Sequence, residues 1–184
     1  MPALLLAGCI SLGPKVPDHL IALSAEATAP AGELGGGNAA AAIVVLEPET
    51  DRSLDVQRVP VQVSASSVAY LKDASWIEKP ARQFRGLLAE TIRARNHGLV
   101  FEGVGFEGGA KRVLSGRLVS MGYDVPSGSV VVRFDALLTG AGGELRAQRF
   151  EAKVTGVAAQ ANAVAPALNT AANQVAAQVA DWVR

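Results

Sequence analysis

The chain has 184 residues, of which 49% are hydrophobic and 18% are charged, and this length and composition predict one folded domain with a substantial core. Seventeen basic residues balance seventeen acidic ones, so the positive footprint that binds nucleic acid is missing and nucleic acid is excluded as a partner. One cysteine and two separated histidines, His19 and His97, exclude an internal disulfide and give no metal-ligand spacing, and no cofactor is expected.

The first feature in chain order is Cys9, which follows an apolar run and the two small residues Ala7 and Gly8. This order of residues is the pattern that bacterial lipoprotein signal peptidase cleaves, after which the cysteine carries a diacylglycerol and an acyl chain is added to the new amine. Each buried methylene contributes about 0.8 kcal/mol, so two or more chains make the attachment effectively permanent. The alternative is that Cys9 is an ordinary buried thiol.

The neighbours of Cys9 predict its destination. Ile10, rather than Asp, follows the cysteine, and in the proteobacterial sorting pattern that this box resembles such a residue directs the lipoprotein to the outer membrane, facing the periplasm. Residues 1–8 contain no Lys or Arg and are short for a secretory segment, which predicts a true start further upstream. We therefore assign 1–8 to a truncated lipoprotein signal segment, 9–18 to a lipidated tether and 19–184 to the folded domain.

Extended segments dominate the first half of that domain. The predicted strands are 19–24, 41–46, 56–64 and 68–71, and the Ala- and Gly-rich stretch 25–39 predicts a flexible loop. The continuous apolar run 41–46 is typical of a strand covered on both faces, which we place centrally in the sheet. Pro60 predicts a strand end or an edge strand, because proline cannot donate to a sheet ladder.

The first helix is predicted from its capping signals and its apolar stripe. Residues 75–78, Ser-Trp-Ile-Glu, have the spacing of a capping box, and Pro80 fits only in a first helical turn. Apolar residues then recur every three or four positions from Phe84 to Ile92, and Asn96, His97 and Gly98 supply the stop.

The second half of the chain predicts three strands and a closing helix. Residues 113–123, 129–139 and 144–155 alternate between polar and apolar and are separated by glycine-containing turns, which predicts an antiparallel meander. Residues 162–183 carry an apolar stripe with no charge before Asp181, but their Asn and Gln side chains exclude a membrane span. This helix packs flat on the sheet, or its amide face meets another subunit, or both.

One motif suggests an enzyme. Residues 103–108, Gly-Val-Gly-Phe-Glu-Gly, match the dinucleotide-binding fingerprint, and Asp124 lies at a suitable distance beyond them. That fingerprint works only when a helix opens at the glycines, because the amides of the helix N-terminus hold the pyrophosphate. The sequence after it alternates as a strand does, so the glycines are better interpreted as turn residues. No nucleophile, base and oxyanion donor can be assembled elsewhere, and we expect no enzymatic activity.

Three blocks of the sequence carry a resemblance to a known family. They are Arg58-Val59-Pro60-Val61, the stretch Val68-Ala69-Tyr70-Leu71-Lys72-Asp73-Ala74-Ser75-Trp76-Ile77-Glu78-Lys79-Pro80-Ala81, and the closing Ala180-Asp181-Trp182-Val183. With these blocks the chain resembles the ABC-type transport auxiliary lipoprotein family, including its paraquat-inducible and cholesterol-transport auxiliary members.

The resemblance implies an α+β fold, with two principal helices on a mixed, mainly antiparallel sheet in a single domain. It also implies a non-catalytic docking role beside an ABC permease and ATPase complex and a mammalian-cell-entry type lipid-binding protein, which together move lipid between the two membranes. A homo-oligomer is possible in such a family. The alternative is a general envelope-assembly or structural lipoprotein with no transporter partner.

Overall fold

The computed structural model describes residues 20–32, 41–96, 98–103 and 112–184 of the chain. Within these ranges eight strands form one mixed, mainly antiparallel sheet and two helices pack on it, which confirms the predicted α+β single domain. The elements are β1 (Ile43–Val45), β2 (Glu49–Thr50), β3 (Arg58–Ser64), β4 (Ser67–Ser75), α1 (Pro80–Asn96), β5 (Val100–Glu102), β6 (Arg112–Asp124), β7 (Ser129–Thr139), β8 (Leu145–Thr155) and α2 (Ala161–Trp182).

The predicted meander is the largest part of the sheet. Strands β6, β7 and β8 pair antiparallel along almost their whole length, with Gly122 opposite Val131 and Arg133 opposite Glu151. Side chains alternate between the two faces of a strand, so Phe134 is buried beneath the helices while its neighbour Arg133 faces the other way. We call this second side of β6, β7 and β8 the outer face.

The shorter strands pair along the edge of β6 that faces away from β7. Strands β1, β2 and β3 each run parallel to a different part of β6, and β5 and β4 continue the sheet beyond β1 and β3. The prediction of a central, buried strand over residues 41–46 is confirmed, because all three residues of β1 are buried and the strand has a partner on each side. The two-residue strand β2 was not predicted.

Pro60, predicted to mark a strand end or an edge strand, lies inside β3 at the point where the strand gains its second partner. Strand β3 lies between β4 and β6, and its parallel pairing with β6 begins at Val61, one residue past the proline. The register with β4 shifts between Arg58 and Pro60, which places the residue without an N–H at an irregularity of the ladder. Strand β6 also approaches closely here, because a Cβ built on Gly122 would lie 2.3 Å from the Pro60 carbonyl oxygen.

Helix α1 begins at Pro80, the residue predicted to lie in its first turn, and ends at Asn96, where the stop was predicted, and its stripe of apolar residues is buried. Phe84 is fully buried and meets Phe134 of the sheet edge-to-face, with ring centroids 5.4 Å apart. The predicted capping box is wrong, because Ser75 is the last residue of β4 and its hydroxyl donates to the carbonyl of Gln57 at 2.8 Å. Strand β4 therefore runs four residues further than predicted and includes Ser75, the residue predicted to cap the helix.

Helix α2 closes the fold on the same side as α1. Its apolar stripe, including Val164, Leu168 and Val175, is fully buried against the sheet and α1, which confirms the sheet-packing prediction. Small residues such as Ala171 and Ala172 keep the helix close to its neighbours. Among the described residues no helix is both long enough and apolar enough to cross a membrane.

Candidate functional site

The predicted attachment residue, Cys9, lies outside the described residues, as do His19 and His97. The described chain begins at Leu20, and the side chains of residues 20–29 alternate between more buried and more exposed positions, with a bend at residues 26 and 27. We call residues 20–29 the N-terminal segment. The predicted strand 19–24 is wrong in the part that is described, because this segment makes one β-bridge, between Ile21 and Trp76, and takes its other partners from helices.

Polar side chains of both helices hold the backbone of the N-terminal segment. The N–H of Leu23 donates to Gln83 Oε1 of α1 at 2.9 Å, and the N–H of Ser24 donates to Asn169 Oδ1 of α2 at 2.9 Å. Asn173 binds on both sides: its Oδ1 accepts from the N–H of Glu26 and its Nδ2 donates to the carbonyl of Ser24, each at 2.8 Å. The segment therefore lies between the two helices and is held by their amides.

A cluster of charges fixes the far end of the segment. The N–H of Ala29 donates to Glu90 Oε1 at 2.7 Å, and the other oxygen of Glu90 accepts from Arg93 at 2.6 Å. Arg93 is largely buried and also donates to the carbonyl of Val100 in β5. Residues 25–29, predicted as part of a flexible loop, are in this way tied to α1, α2 and the edge of the sheet.

The outer face carries two rows of charged residues. Arg149 binds Asp135 with two hydrogen bonds of 2.6 and 2.7 Å. Two register positions along, on the same face, Arg133 and Lys153 both pair with Glu151. Strand pairing explains the arrangement, because residues directly opposite one another on antiparallel strands share a face. All five side chains are between 30% and 61% exposed, so this network faces solvent.

These contacts shift the pKa values of the two carboxyl groups. The hydrogen bond from Arg149 lowers the pKa of Asp135, and the same bond raises the pKa of Arg149. Burial acts to raise the pKa of Glu151, but the hydrogen bonds from Arg133 and Lys153 outweigh it, and the net shift is downward. Both carboxylates are therefore held in their charged forms.

Beside these rows the outer face sinks into a groove of about 520 Å³. Gly122 lies at its floor, Pro60 and Gln62 of β3 line one side, and Arg133 and Lys153 lie on the other. The missing side chain at Gly122 keeps the floor open, and the same glycine is required by its contact with Pro60. The groove offers hydrogen-bonding and cationic groups to a bound molecule.

Most of the dinucleotide-binding fingerprint lies outside the described residues. Gly103 directly follows β5 with φ +81°, residues 104–108 lie outside the described residues, and β6, which begins at Arg112, is the strand predicted beyond the fingerprint. Asp124, the residue considered for a ribose contact, accepts hydrogen bonds from the N–H and hydroxyl of Ser127 in the following turn. The carboxylate of Asp124 therefore stabilises the β6–β7 turn.

The family profile described as ABC-type transport auxiliary lipoprotein component matches residues 22–180. This chain belongs to that family. As an ABC-type transport auxiliary lipoprotein component, the chain is placed in the bacterial envelope in association with ABC-type transport. No curated protein matches it in sequence.

Solved structures share the fold of this auxiliary lipoprotein component at low sequence identity. Protein XCC0632 from Xanthomonas campestris, a DUF330 protein, is 14% identical over 90% of this chain and 93% of its own, with a TM-score of 0.71. An uncharacterized protein is 16% identical over 78% of this chain and 92% of its own, with a TM-score of 0.67. The PelC dodecamer from Paraburkholderia phytofirmans, 16% identical over 82% of this chain and 89% of its own, has a lower TM-score of 0.46.

The sequence did not predict that Asn169 and Asn173 hold the N-terminal segment of this auxiliary component, and we call their hydrogen bonds to it the clamp. From the sequence, the amide side chains of α2 indicate only a helix unsuited to lipid, or an amide face for another subunit. A usable signal was present, since two asparagines four positions apart lie on one side of a helix, and Asn173 sits within an otherwise apolar stripe. A buried asparagine needs partners, and the chain supplies them from its own N-terminal segment.

Proposed function

We propose that this chain is an outer-membrane-anchored periplasmic lipoprotein that acts as the docking component of an ABC-type intermembrane lipid-transport system. The family match over residues 22–180 carries the proposal. Cys9 supplies the acyl attachment, and the body works by binding rather than by catalysis. The partners are the ABC permease and ATPase complex and a mammalian-cell-entry type lipid-binding protein.

The outer face is the docking surface in this proposal. The helices cover the opposite side of the sheet, and the N-terminal segment lies between α1 and α2, so neither helix nor this segment covers the outer face of β6, β7 and β8. Its charges are solvent-exposed, and exposed ion pairs contribute only about 0–1 kcal/mol to folding. Charges arranged in rows instead favour recognition, because they set the register and the rate of association with a partner.

Recovery of the partners with the acylated protein tests the proposal. We expect the wild-type chain, purified from membranes, to bring down the permease and the mammalian-cell-entry type protein. The variant Asp135→Arg reverses a charge in the middle of the outer face and should recover much less of either. Asp55→Arg is the matched control, because Asp55 is also an exposed acid in an ion pair, with Lys79, and lies off this face.

The results separate the possible roles. A general structural lipoprotein would be acylated but would recover neither partner. If both partners bind and Asp135→Arg recovers them as fully as Asp55→Arg does, the docking role stands and the outer face is the wrong surface.

A further inference from the structure

One end of the molecule has loops without any charged residue. These loops are the β3–β4 turn (64–67), the β6–β7 turn (125–128) and the connection from β8 to α2 (156–160), and we call them together the uncharged end. Hydrogen bonds join their neighbourhoods: the N–H of Val125 donates to the Gln62 carbonyl, and the N–H of Val157 donates to the Gly128 carbonyl. The three loops therefore form one continuous surface.

Exposed valines sit on or beside this surface. Val63, Val68 and Val125 are 44%, 46% and 46% exposed, and their interest lies in their position on or beside loops without charge. Of the charged residues that flank these loops in sequence, Asp124 is tied to Ser127 and Lys153 pairs with Glu151. The uncharged end thus combines apolar side chains with small hydroxyl and amide groups.

The opposite end of the molecule is charged. There the C-terminal ends of α1 and α2 meet through the ion pair of Arg95 with Asp181, and Arg112 and Arg146 donate to the carbonyls of Val183 and Trp182. The β7–β8 turn beside them carries Glu144. The two ends of the sheet therefore differ in chemistry, and this difference gives the molecule a polarity.

The described chain begins on the side of Ile21 that faces the uncharged end. The bridge between Ile21 and Trp76 is parallel, so the N-terminal segment runs in the direction of β4, away from the uncharged end. Leu20, the first described residue, therefore lies between Ile21 and that end along the chain direction. The clamp by Asn169 and Asn173 fixes this direction.

The length of the tether is compatible with contact between this end and a bilayer. Cys9 precedes Leu20 by eleven positions, and an extended chain of that length spans at most about 36–40 Å. The strand β4, Ser67–Ser75, separates the level of Ile21 from the loops by about 30 Å. The tether can thus pass the uncharged end and place an acylated Cys9 in lipid just beyond it.

We propose that the uncharged end, with Val63, Val68 and Val125, lies against the lipid headgroups of the membrane that holds the anchor. This inference rests on the proposed acylation of Cys9. The surface carries no basic cluster, so its own affinity for lipid is low and the acyl chains hold the protein in place. The end instead sets orientation, and it leaves the charged end and the outer face turned toward partners.

Site-specific fluorescence on the acylated full-length chain tests this orientation. Cys9 is the only cysteine and is blocked by lipid in the anchored protein, so a Val125→Cys variant has one free thiol for an environment-sensitive dye. The matched control is Leu145→Cys at the charged end, where Leu145 is 67% exposed. Both variants are placed in vesicles of phosphatidylethanolamine and phosphatidylglycerol that contain lipids with a quencher in the headgroup region, and circular dichroism verifies that they are folded.

We expect several-fold stronger lipid quenching and a blue-shifted emission at position 125 compared with position 145. Equal quenching at both positions in vesicle-bound protein would overturn the inference and leave the anchor intact. So would a dye at position 125 that is shielded from an aqueous quencher but untouched by the lipid quencher, which indicates a protein interface. If the wild-type chain does not float with vesicles, the anchor itself fails and the inference falls with it.

Discussion

Asn173→Ala is the most informative single change, because this side chain joins α2 to the N-terminal segment. Asn173 is 5% exposed and makes three hydrogen bonds: its Oδ1 accepts from the N–H of Glu26, and its Nδ2 donates to the carbonyls of Ser24 and Asn169. At about 0.5–1.5 kcal/mol each, their loss costs about 1.5–4.5 kcal/mol. The higher helix propensity of alanine offsets about 0.7 kcal/mol of this loss, so the free energy of unfolding should fall by about 1–4 kcal/mol.

Urea-induced unfolding measures this difference, with Gln174→Ala as the control. Gln174 is the next residue of the same helix and is exposed, so its replacement truncates an amide side chain and gains less helix propensity than Asn173→Ala does, without touching the segment. Hydrogen exchange should also rise at the amide of Glu26 in Asn173→Ala alone, because the N–H of Glu26 loses its acceptor, Asn173 Oδ1. If the two variants unfold within about 0.5 kcal/mol of each other, the hydrogen bonds to the segment do not contribute as argued.

Three further predictions concern the sheet and its core. Gly122→Ala should cost about 1–3 kcal/mol in urea unfolding, since a Cβ would clash with the Pro60 carbonyl; an unchanged midpoint would contradict this contact. Phe84→Ala removes a fully buried ring and should cost about 3–5 kcal/mol by the same assay, and a loss below 1 kcal/mol would refute its place in the core. In an NMR titration the Asp135 carboxyl should have a pKa below 3.8, and this pKa should rise in Arg149→Gln. Because the pKa is lower in the folded state than in the unfolded state, the ion pair stabilises the fold above pH 3.8, and this stabilisation is lost as the pH falls through the folded pKa. Equal pKa values in both proteins would exclude the hydrogen bond from Arg149 as the cause.

The regular elements were predictable because their periodicity is long and strong. The strand Ser129–Thr139 was predicted to the residue, and α1 and α2 were placed within one residue at the ends that were predicted, since eleven or more alternating or stripe-forming positions leave little ambiguity. Short-range signals were less reliable. Ser75 fits a capping box equally well as the end of a strand, and only its tertiary partner, the Gln57 carbonyl, decides between them.

The site was less predictable than the fold because its key contacts join distant parts of the chain. The alternation over residues 19–24 correctly indicated an extended conformation, but no local pattern shows that its partners are Gln83 and Asn169, which lie 60 and 145 residues away. The uncharged end could not be predicted for the same reason, because its three loops are far apart in sequence and form one surface only when the strands pair. The anchoring motif at Cys9 is local and could be recognised directly.

The most direct test of the account is the intact mass of the protein purified from membranes, compared with Cys9→Ser. The account predicts a wild-type chain that begins at Cys9 and carries a diacylglycerol on its thiol and an acyl chain on its amine, while Cys9→Ser is unmodified and is released from the membrane. A wild-type protein with a free Cys9 thiol in the soluble fraction would contradict both the anchor and the outer-membrane location.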